Sequence, residues 1–177
     1  MERLHAYWRV EYIHAPKDRC DGSKNKANPF RIMATTNDFA KYHIIWRGKY
    51  SFIVMNKFPY NCGHLLVLPI REIADIELLK GAEKKEYFDA IILAKSILKK
   101  AINPDAFNIG FNMGAKAGAG IPQHLHCHIV PRWDGDTNFM PVISDTRVLP
   151  EAMDSLWKRL VQFAPKSKTV KKSSKKA

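Results

Sequence analysis

Within the run Gln123 to Trp133, apolar and polar side chains alternate from His124 to Ile129, with Leu125, Cys127 and Ile129 on one side and His124, His126 and His128 on the other. A two-residue period predicts a strand with one face anchored in a core and three imidazoles on the opposite face. Similar alternation at residues 43–47 and 51–56 predicts a hairpin turning at Arg47-Gly48-Lys49. Leu65 to Leu68 reads as a short buried strand closed by Pro69, and Phe107 to Asn112 as another. Between Glu83 and Ala101 the period becomes helical: Tyr87, Phe88, Ile91, Ile92, the stem of Lys95, Leu98 and Ile102 recur on one stripe, and Asn103-Pro104 stops it. Met153 to Phe163, carrying Leu156, Trp157, Leu160 and Val161, reads as a shorter helix whose Trp157 packs rather than binds. These elements place the chain in the α+β class, with a central antiparallel sheet and one long and one shorter helix.

The connections are distinctive in two places. Ala15 to Asn28 is polar, lysine-rich and without apolar period, following an N-terminal segment that contains Trp8-Arg9. Gly114 to Pro122 is a loop with three glycines directly before the histidine segment. Glycine backbones, lacking Cβ atoms, let N–H groups approach phosphate oxygens closely.

At 177 residues, residues 1–165 are expected to form one domain with an N-terminal extension, large enough to hold a core without covalent staples. The three cysteines, Cys20, Cys62 and Cys127, show no paired spacing, which points to a reducing compartment and a cytoplasmic protein. No stretch of 18 apolar residues and no basic-then-apolar leader is present, so membrane insertion and secretion are disfavoured. The net charge of +12 draws half of its excess from six lysines in residues 166–177, a Lys/Ser tail expected to be disordered. A solubilising role for that tail is favoured over an RNA or membrane-surface arm, and the charge left on the body suits a pocket for a polyphosphate.

Three readings of the histidine row differ in what they demand. A polar sheet face without chemistry would crowd titratable groups for no gain. A metal site could take two nitrogens from a His-x-His strand, but it needs further ligands, and no His-x-x-x-His or Cys-x-x-Cys occurs elsewhere. Nucleophilic catalysis needs one neutral imidazole to attack while its neighbours orient it and stabilise charge.

The run His124-Leu125-His126-Cys127-His128-Ile129-Val130 resembles the signature of the histidine triad (HIT) superfamily of nucleotide hydrolases and transferases. Upstream, Ser51 to Pro69, with Asn56 and Gly63-His64, resembles that family's strand, loop, Gly-His, strand unit, and Asn112-Met113-Gly114 with Gly118-Ala119-Gly120 resembles its Asn-x-Gly and phosphate loop. The resemblance covers roughly residues 40 to 143. Tyr7-Trp8-Arg9-Val10-Glu11-Tyr12-Ile13 and Pro131 to Pro141 are similar to a longer bacterial branch that includes diadenosine tetraphosphate phosphorylases.

The resemblance implies roles. His126 matches the nucleophile that attacks the α-phosphorus of a nucleotide and forms a covalent nucleotidyl-histidine, its ring held by a backbone carbonyl beside the triad. His128 matches the residue that contacts phosphoryl oxygens, and His124 matches the outer member, expected to bond with His64. Asn56 matches the position that reaches the ribose hydroxyls, Val54 an apolar wall beside the base, Asn112 a phosphate contact, and Gly118 and Gly120 the phosphate loop. Gly120 and Ile121 stand where several relatives carry a phosphate-contacting Gln and a leaving-group Ser, so phosphate contact would fall to backbone N–H groups.

Many bacterial relatives also carry Cys-x-x-Cys near the N-terminus and a His after the second strand, closing a structural zinc site. Here Cys20 has no such partner and Glu72 stands in place of the His, so no metal is expected. Cys20 would then be an ordinary loop thiol and Cys62 modestly reactive. The reading is a homodimeric enzyme that needs no cofactor beyond Mg²⁺ carried in on a polyphosphate, acting on dinucleoside polyphosphates such as diadenosine tetraphosphate, with water or phosphate as acceptor. Two alternatives stay open: a nucleoside phosphoramidase, and a non-catalytic nucleotide-binding or nucleic-acid accessory protein suggested by the lysine tail.

Overall fold

The computed structural model describes residues 28–137, 139–144 and 150–169. The chain divides into two compact units, one comprising residues 28–136 and 149–177 and the other residues 1–27 and 137–148.

The larger unit opens with helix α1 (Pro29–Thr35), which follows the polar stretch Ala15 to Asn28 and is too short to show a helical period in the sequence. The Asn28 side chain accepts from the Phe30 N–H at 3.0 Å and Pro29 supplies a fixed φ in the first turn. Strands β1 (Ile44–Arg47) and β2 (Ser51–Met55) form the expected hairpin, and β3 (Leu65–Pro69) follows. A 3₁₀ turn at Ile76–Leu78 leads into the long helix α2 (Gly81–Ile102), then β4 (Ala106–Phe111), a 3₁₀ turn at Ala115–Ala117 and β5 (Cys127–Arg132). In the smaller unit, Met140–Ser144 form the short helix α3. Helix α4 (Met153–Val161), in the larger unit, is the shorter helix expected from the sequence.

The sheet runs β1-β2-β3-β5-β4 with every pair antiparallel. One face carries Ile45, Ile53, Val67, Cys127 and Ile129 against Tyr87, Ala90, Ala94, Ile97 and Leu98 of α2 and Leu156 and Leu160 of α4. The other carries Ile44, Phe52, Val54, Leu66 and Leu68 against Phe30 and Ala34 of α1. Leu125, Cys127 and Ile129 thus anchor in the α2-side core as their alternation predicts, which leaves the histidines to the α1 side.

Helix α2 corrects the stripe read from the sequence. Its buried face contains Ala90, Ala94 and Ile97, whereas Phe88 and Ile92 are exposed. Small alanines let the helix approach the sheet closely, so they define the inner face although they carry little apolar weight. Asn103 ends the helix in the left-handed region, φ 42°, before Pro104. Glu86 on α2 accepts the N–H groups of Lys49, Tyr50 and Ser51 at 3.1, 2.6 and 2.9 Å, fixing the β1–β2 turn. A Cβ at Gly48 would stand 2.4 Å from the Glu86 carboxylate, so a side chain there would have to displace the group that holds the turn.

Trp157 packs on the α2-side core and its indole N–H donates to the Ile44 carbonyl at 2.9 Å, where the β1–β2 register shifts. The segment expected to be unordered from residue 166 begins with contacts to β1. The Arg47 N–H donates to the Ser167 hydroxyl at 3.1 Å and the Lys168 N–H to the Arg47 carbonyl at 2.8 Å. Residues 170–177, like Cys20 and the Trp8-Arg9 segment, lie outside the described residues. Among the described residues no helix is long and apolar enough to cross a membrane.

Candidate active site

The histidine segment is shorter as a strand than its alternation suggests. Ladder pairing begins at Cys127; before it, the His124 N–H turns back to the Ile121 carbonyl at 3.2 Å and the Leu125 N–H donates to Ile73 O at 2.6 Å. His124 and His126 therefore stand on a lead-in tied to the segment that follows β3. This departure lets His126 Nδ1 reach the carbonyl of His124 at 2.8 Å. A carbonyl only accepts, so Nδ1 carries the proton and Nε2 keeps its lone pair.

His64 is delivered by the β2–β3 loop. Gly63 before it has φ 77°, and a Cβ there would meet Ile102 at 2.7 Å. His64 Nδ1 accepts the Tyr60 N–H at 3.0 Å and is 3.3 Å from the Asn56 amide nitrogen. Its proton is consequently on Nε2, which donates to His128 Nδ1 at 2.9 Å. The neutral His128 ring then carries its own proton on Nε2, a buried atom with no hydrogen-bond partner among the described residues. The chain from Tyr60 through His64 to His128 ends in a hydrogen-bond donor next to His126, whose ring centroid is 5.0 Å away.

The expected His124–His64 bond is replaced by this His64–His128 bond. His124 is held elsewhere: its Nε2 donates to the Pro69 carbonyl at 2.8 Å and its Nδ1 accepts from the Asn28 amide at 3.0 Å. The cause is the register between β3 and β5. Leu66 on β3 pairs with His128, so a side chain entering just before β3 meets the last histidine, whereas His124 lies beyond the other end of that strand, at Pro69.

Burial governs the charge of the row. His126 is 7% exposed, and burial lowers its pKa against the weaker opposing effect of the His124 carbonyl. His128 is pushed down to about 4 by burial and by the neighbouring His126. Burial also lowers His124, with the Pro69 carbonyl and Glu72 acting the other way. All three rings are neutral at about pH 7, the state in which one can attack and another donate.

Phe30 packs against His124 and His126 at 5.5 and 5.7 Å between ring centroids. Tyr60 stacks on His128 at 5.5 Å, 17° from parallel. Neither aromatic, nor Asn28, was singled out by the sequence. Asn28-Pro29 carries the signature of a helix start, and Tyr60 shares the Gly-His loop; those were the available signals. Asn61 ties that loop to the end of β5, donating to Pro131 O at 3.1 Å and to Asp136 at 2.7 Å, while Arg132 grips Asp136 with two nitrogens at 2.6 and 2.7 Å.

Among the matched binding residues, Asn56 lies beside His64 and accepts the Phe58 N–H. Val54 is interior, in the cluster with Phe30. Asn112, Gly118 and Gly120 sit on the β4–β5 connection. There the N–H groups of Ala117, Gly118 and Ala119 bond to the loop's own carbonyls at Gly114 and Ala115, so these three do not offer themselves to phosphate. Gly120 is exposed with open space about it. Cys62 departs from its expectation: burial raises its pKa and Glu151 adds to this, so the thiol is less reactive than an ordinary one.

No group of three or more His, Cys, Asp and Glu among the described residues could hold a metal. Glu72, at the position of the implied zinc ligand, accepts from Asn28 at 3.0 Å and faces Arg31 at 3.5 Å. A guanidinium on that carboxylate and an N–H directed at His124 Nδ1 do not fit a cation.

The HIT domain model matches residues 39–135. The chain is 36% identical over 155 residues to an AP-4-A phosphorylase of Mycobacterium tuberculosis, covering 86% of this chain and 79% of that protein. It is 31% identical over 91 residues to a bis(5'-adenosyl)-triphosphatase of Saccharomyces cerevisiae, covering 51% and 44%. A zinc-bound histidine triad protein from Mycobacterium smegmatis shares the fold, with TM-score 0.61 and 20% identity over 77% of this chain and 92% of that one. With its triad, its Gly-His loop and this five-stranded sheet, the chain belongs to the HIT domain family.

Proposed function

We propose that this protein cleaves dinucleoside polyphosphates of the diadenosine tetraphosphate type at the α-phosphate, through a covalent bond to His126. The observation that carries this reading is the pairing of a bare His126 Nε2, set by the Nδ1 bond to His124 O, with the Nε2–H of His128 beside it. His126 Nε2 attacks the α-phosphorus, forming a P–N bond as the P–O bond to the departing nucleoside polyphosphate breaks. The His128 proton stabilises negative charge on the phosphoryl oxygens, and the His124 carbonyl stabilises the cationic character that His126 acquires. An oxygen of phosphate or water then attacks the same phosphorus, breaking the P–N bond and restoring neutral His126; where water is the acceptor, its proton passes to solvent.

Similarity to an AP-4-A phosphorylase over most of the chain supports the substrate class and favours phosphate as acceptor. Ile121, in the place of a leaving-group serine, supports it as well. A polyphosphate departs as a stable anion without a proton, whereas the amine of a phosphoramidate must be protonated as it leaves.

The reading includes a homodimer and a cytoplasmic setting. Phe88 and Ile92 on α2 and Ile109 on the terminal strand β4, 64%, 54% and 45% exposed, are apolar side chains suited to burial against a second copy. The free thiols Cys62 and Cys127 suit a reducing compartment.

The test is incubation of purified protein with diadenosine tetraphosphate, with and without phosphate, beside His126→Ala. ADP and ATP formed only with phosphate, and lost in the variant, is the expected result. AMP and ATP without phosphate would make water the acceptor, and an active His126→Ala enzyme would remove the covalent mechanism.

A further inference from the structure

The implied zinc site and the residues in its place disagree, and the disagreement has a structure of its own. Asn28 and Arg31 stand three residues apart at the start of α1, the spacing of a Cys-x-x-Cys pair, and both reach Glu72. Asn28 also reaches His124, so four side chains from α1, the segment after β3 and the triad lead-in form one connected group. Every polar contact in it has a donor and an acceptor. One amide proton of Asn28 goes to Glu72 Oε1, the other to His124 Nδ1, and its oxygen accepts the Phe30 N–H.

We propose that Arg31, Glu72 and Asn28 form a metal-free clasp that positions the catalytic row through His124. With Nδ1 taken by Asn28 and Nε2 by the Pro69 carbonyl, the His124 ring is fixed in the Nε2–H tautomer. The backbone carbonyl of this same residue holds His126 Nδ1–H. Asn28 acts a second time through Phe30, whose ring rests on both His124 and His126. Glu72 orients the Asn28 amide, because a carboxylate only accepts and so compels the nitrogen to point inward. Arg31 holds Glu72 from the solvent side. None of the three touches the reacting atoms; they are positioning residues, and their effect belongs on turnover rather than on substrate affinity.

The clasp rests on the proposed function only for its kinetic consequence, so the experiment has an arm that does not. In protein labelled with ¹⁵N-histidine, His124 should show a protonated Nε2 and a bare Nδ1 near neutral pH. A chelator should leave the melting temperature unchanged. A protonated Nδ1 on His124, or a bound zinc whose removal lowers the melting temperature, would overturn the clasp whatever the enzyme's substrate. Asn28→Asp offers an acceptor to a ring nitrogen that lacks a proton, and should force His124, which also faces Glu72 and His126, to carry protons on both nitrogens.

In the kinetic arm, Asn28→Leu, similar in size and without the amide, should lower kcat about 10- to 100-fold with KM little changed, the scale found when an outer-shell partner is lost. Wild-type kcat in a folded Asn28→Leu protein would refute the positioning role. If no diadenosine polyphosphate is turned over at all, the function falls while the tautomer and chelator results still decide the clasp.

Discussion

His64 Nε2 donates to His128 Nδ1 across 2.9 Å, and the direction of that bond is set two atoms upstream by the Tyr60 N–H that occupies His64 Nδ1. A histidine outside the triad thereby decides which nitrogen of a triad histidine carries its proton. Replacing His64 by Ala frees His128 to adopt either tautomer, one of which turns a lone pair toward phosphoryl oxygen. Turnover is expected to fall by about 10- to 100-fold, short of the roughly 10²–10³ that removal of an oxyanion donor costs, because the donating tautomer stays accessible. Steady-state kinetics of His64→Ala beside His128→Ala check the order, and equal kcat for His64→Ala and wild type would sink it.

Burial lowers the pKa of both His126 and His128, the latter to about 4. Each must be neutral to act, so kcat/KM should stay level as pH falls through the ordinary histidine pKa of about 6.5 and decline only below it. A profile with its acidic half-point at or above about 6.5 would mean that the rings are more solvated than this arrangement allows.

The same shifts bear on stability. A histidine whose folded pKa lies below its unfolded value binds fewer protons when folded, so stability is greatest above about pH 6.5 and is lost as pH falls from there toward about 4. For His128, discounted for the partial solvent access of its ring, the loss is on the order of 1–2 kcal/mol. Urea unfolding of wild type and His128→Asn between these limits should show a shallower acid loss in the variant. Parallel pH curves would contradict it.

Strand periodicity made the triad face and its anchoring residues legible, because Leu125, Cys127 and Ile129 are large, apolar and spaced by two. It could not reveal where the ladder begins, since that depends on hydrogen bonds to Ile121 and Ile73, far from any alternation. The pairing of His64 with His128 rather than His124 depended on register between β3 and β5, which no single strand encodes. Helix α1 escaped notice because Pro29–Thr35 is too short to display a period, and its Asn-Pro start follows a long polar stretch. Along α2 the large side chains Phe88 and Ile92 outweighed Ala90 and Ala94, although the alanines mark the inward face.

Strand β4 pairs with β5 on one side and forms the outer edge of the sheet on the other. Ile109 projects from it 45% exposed, and Phe88 and Ile92 on α2 are more exposed still. A strand edge with no neighbour among the described residues invites pairing with another chain, and an antiparallel pairing of β4 with its own copy would extend the sheet while burying exposed apolar side chains on both sides. Introducing a charge at that surface would have to bury it in such a dimer, at a cost of several kcal/mol per ion. Ile109→Lys should therefore shift a dimer to monomer in sedimentation, leaving the monomer's α2-side core intact because Ile109 is not part of it. A wild-type protein that sediments as a monomer at micromolar concentration would remove the homodimer, and an Ile109→Lys protein that still sediments as a dimer would place the partner surface elsewhere.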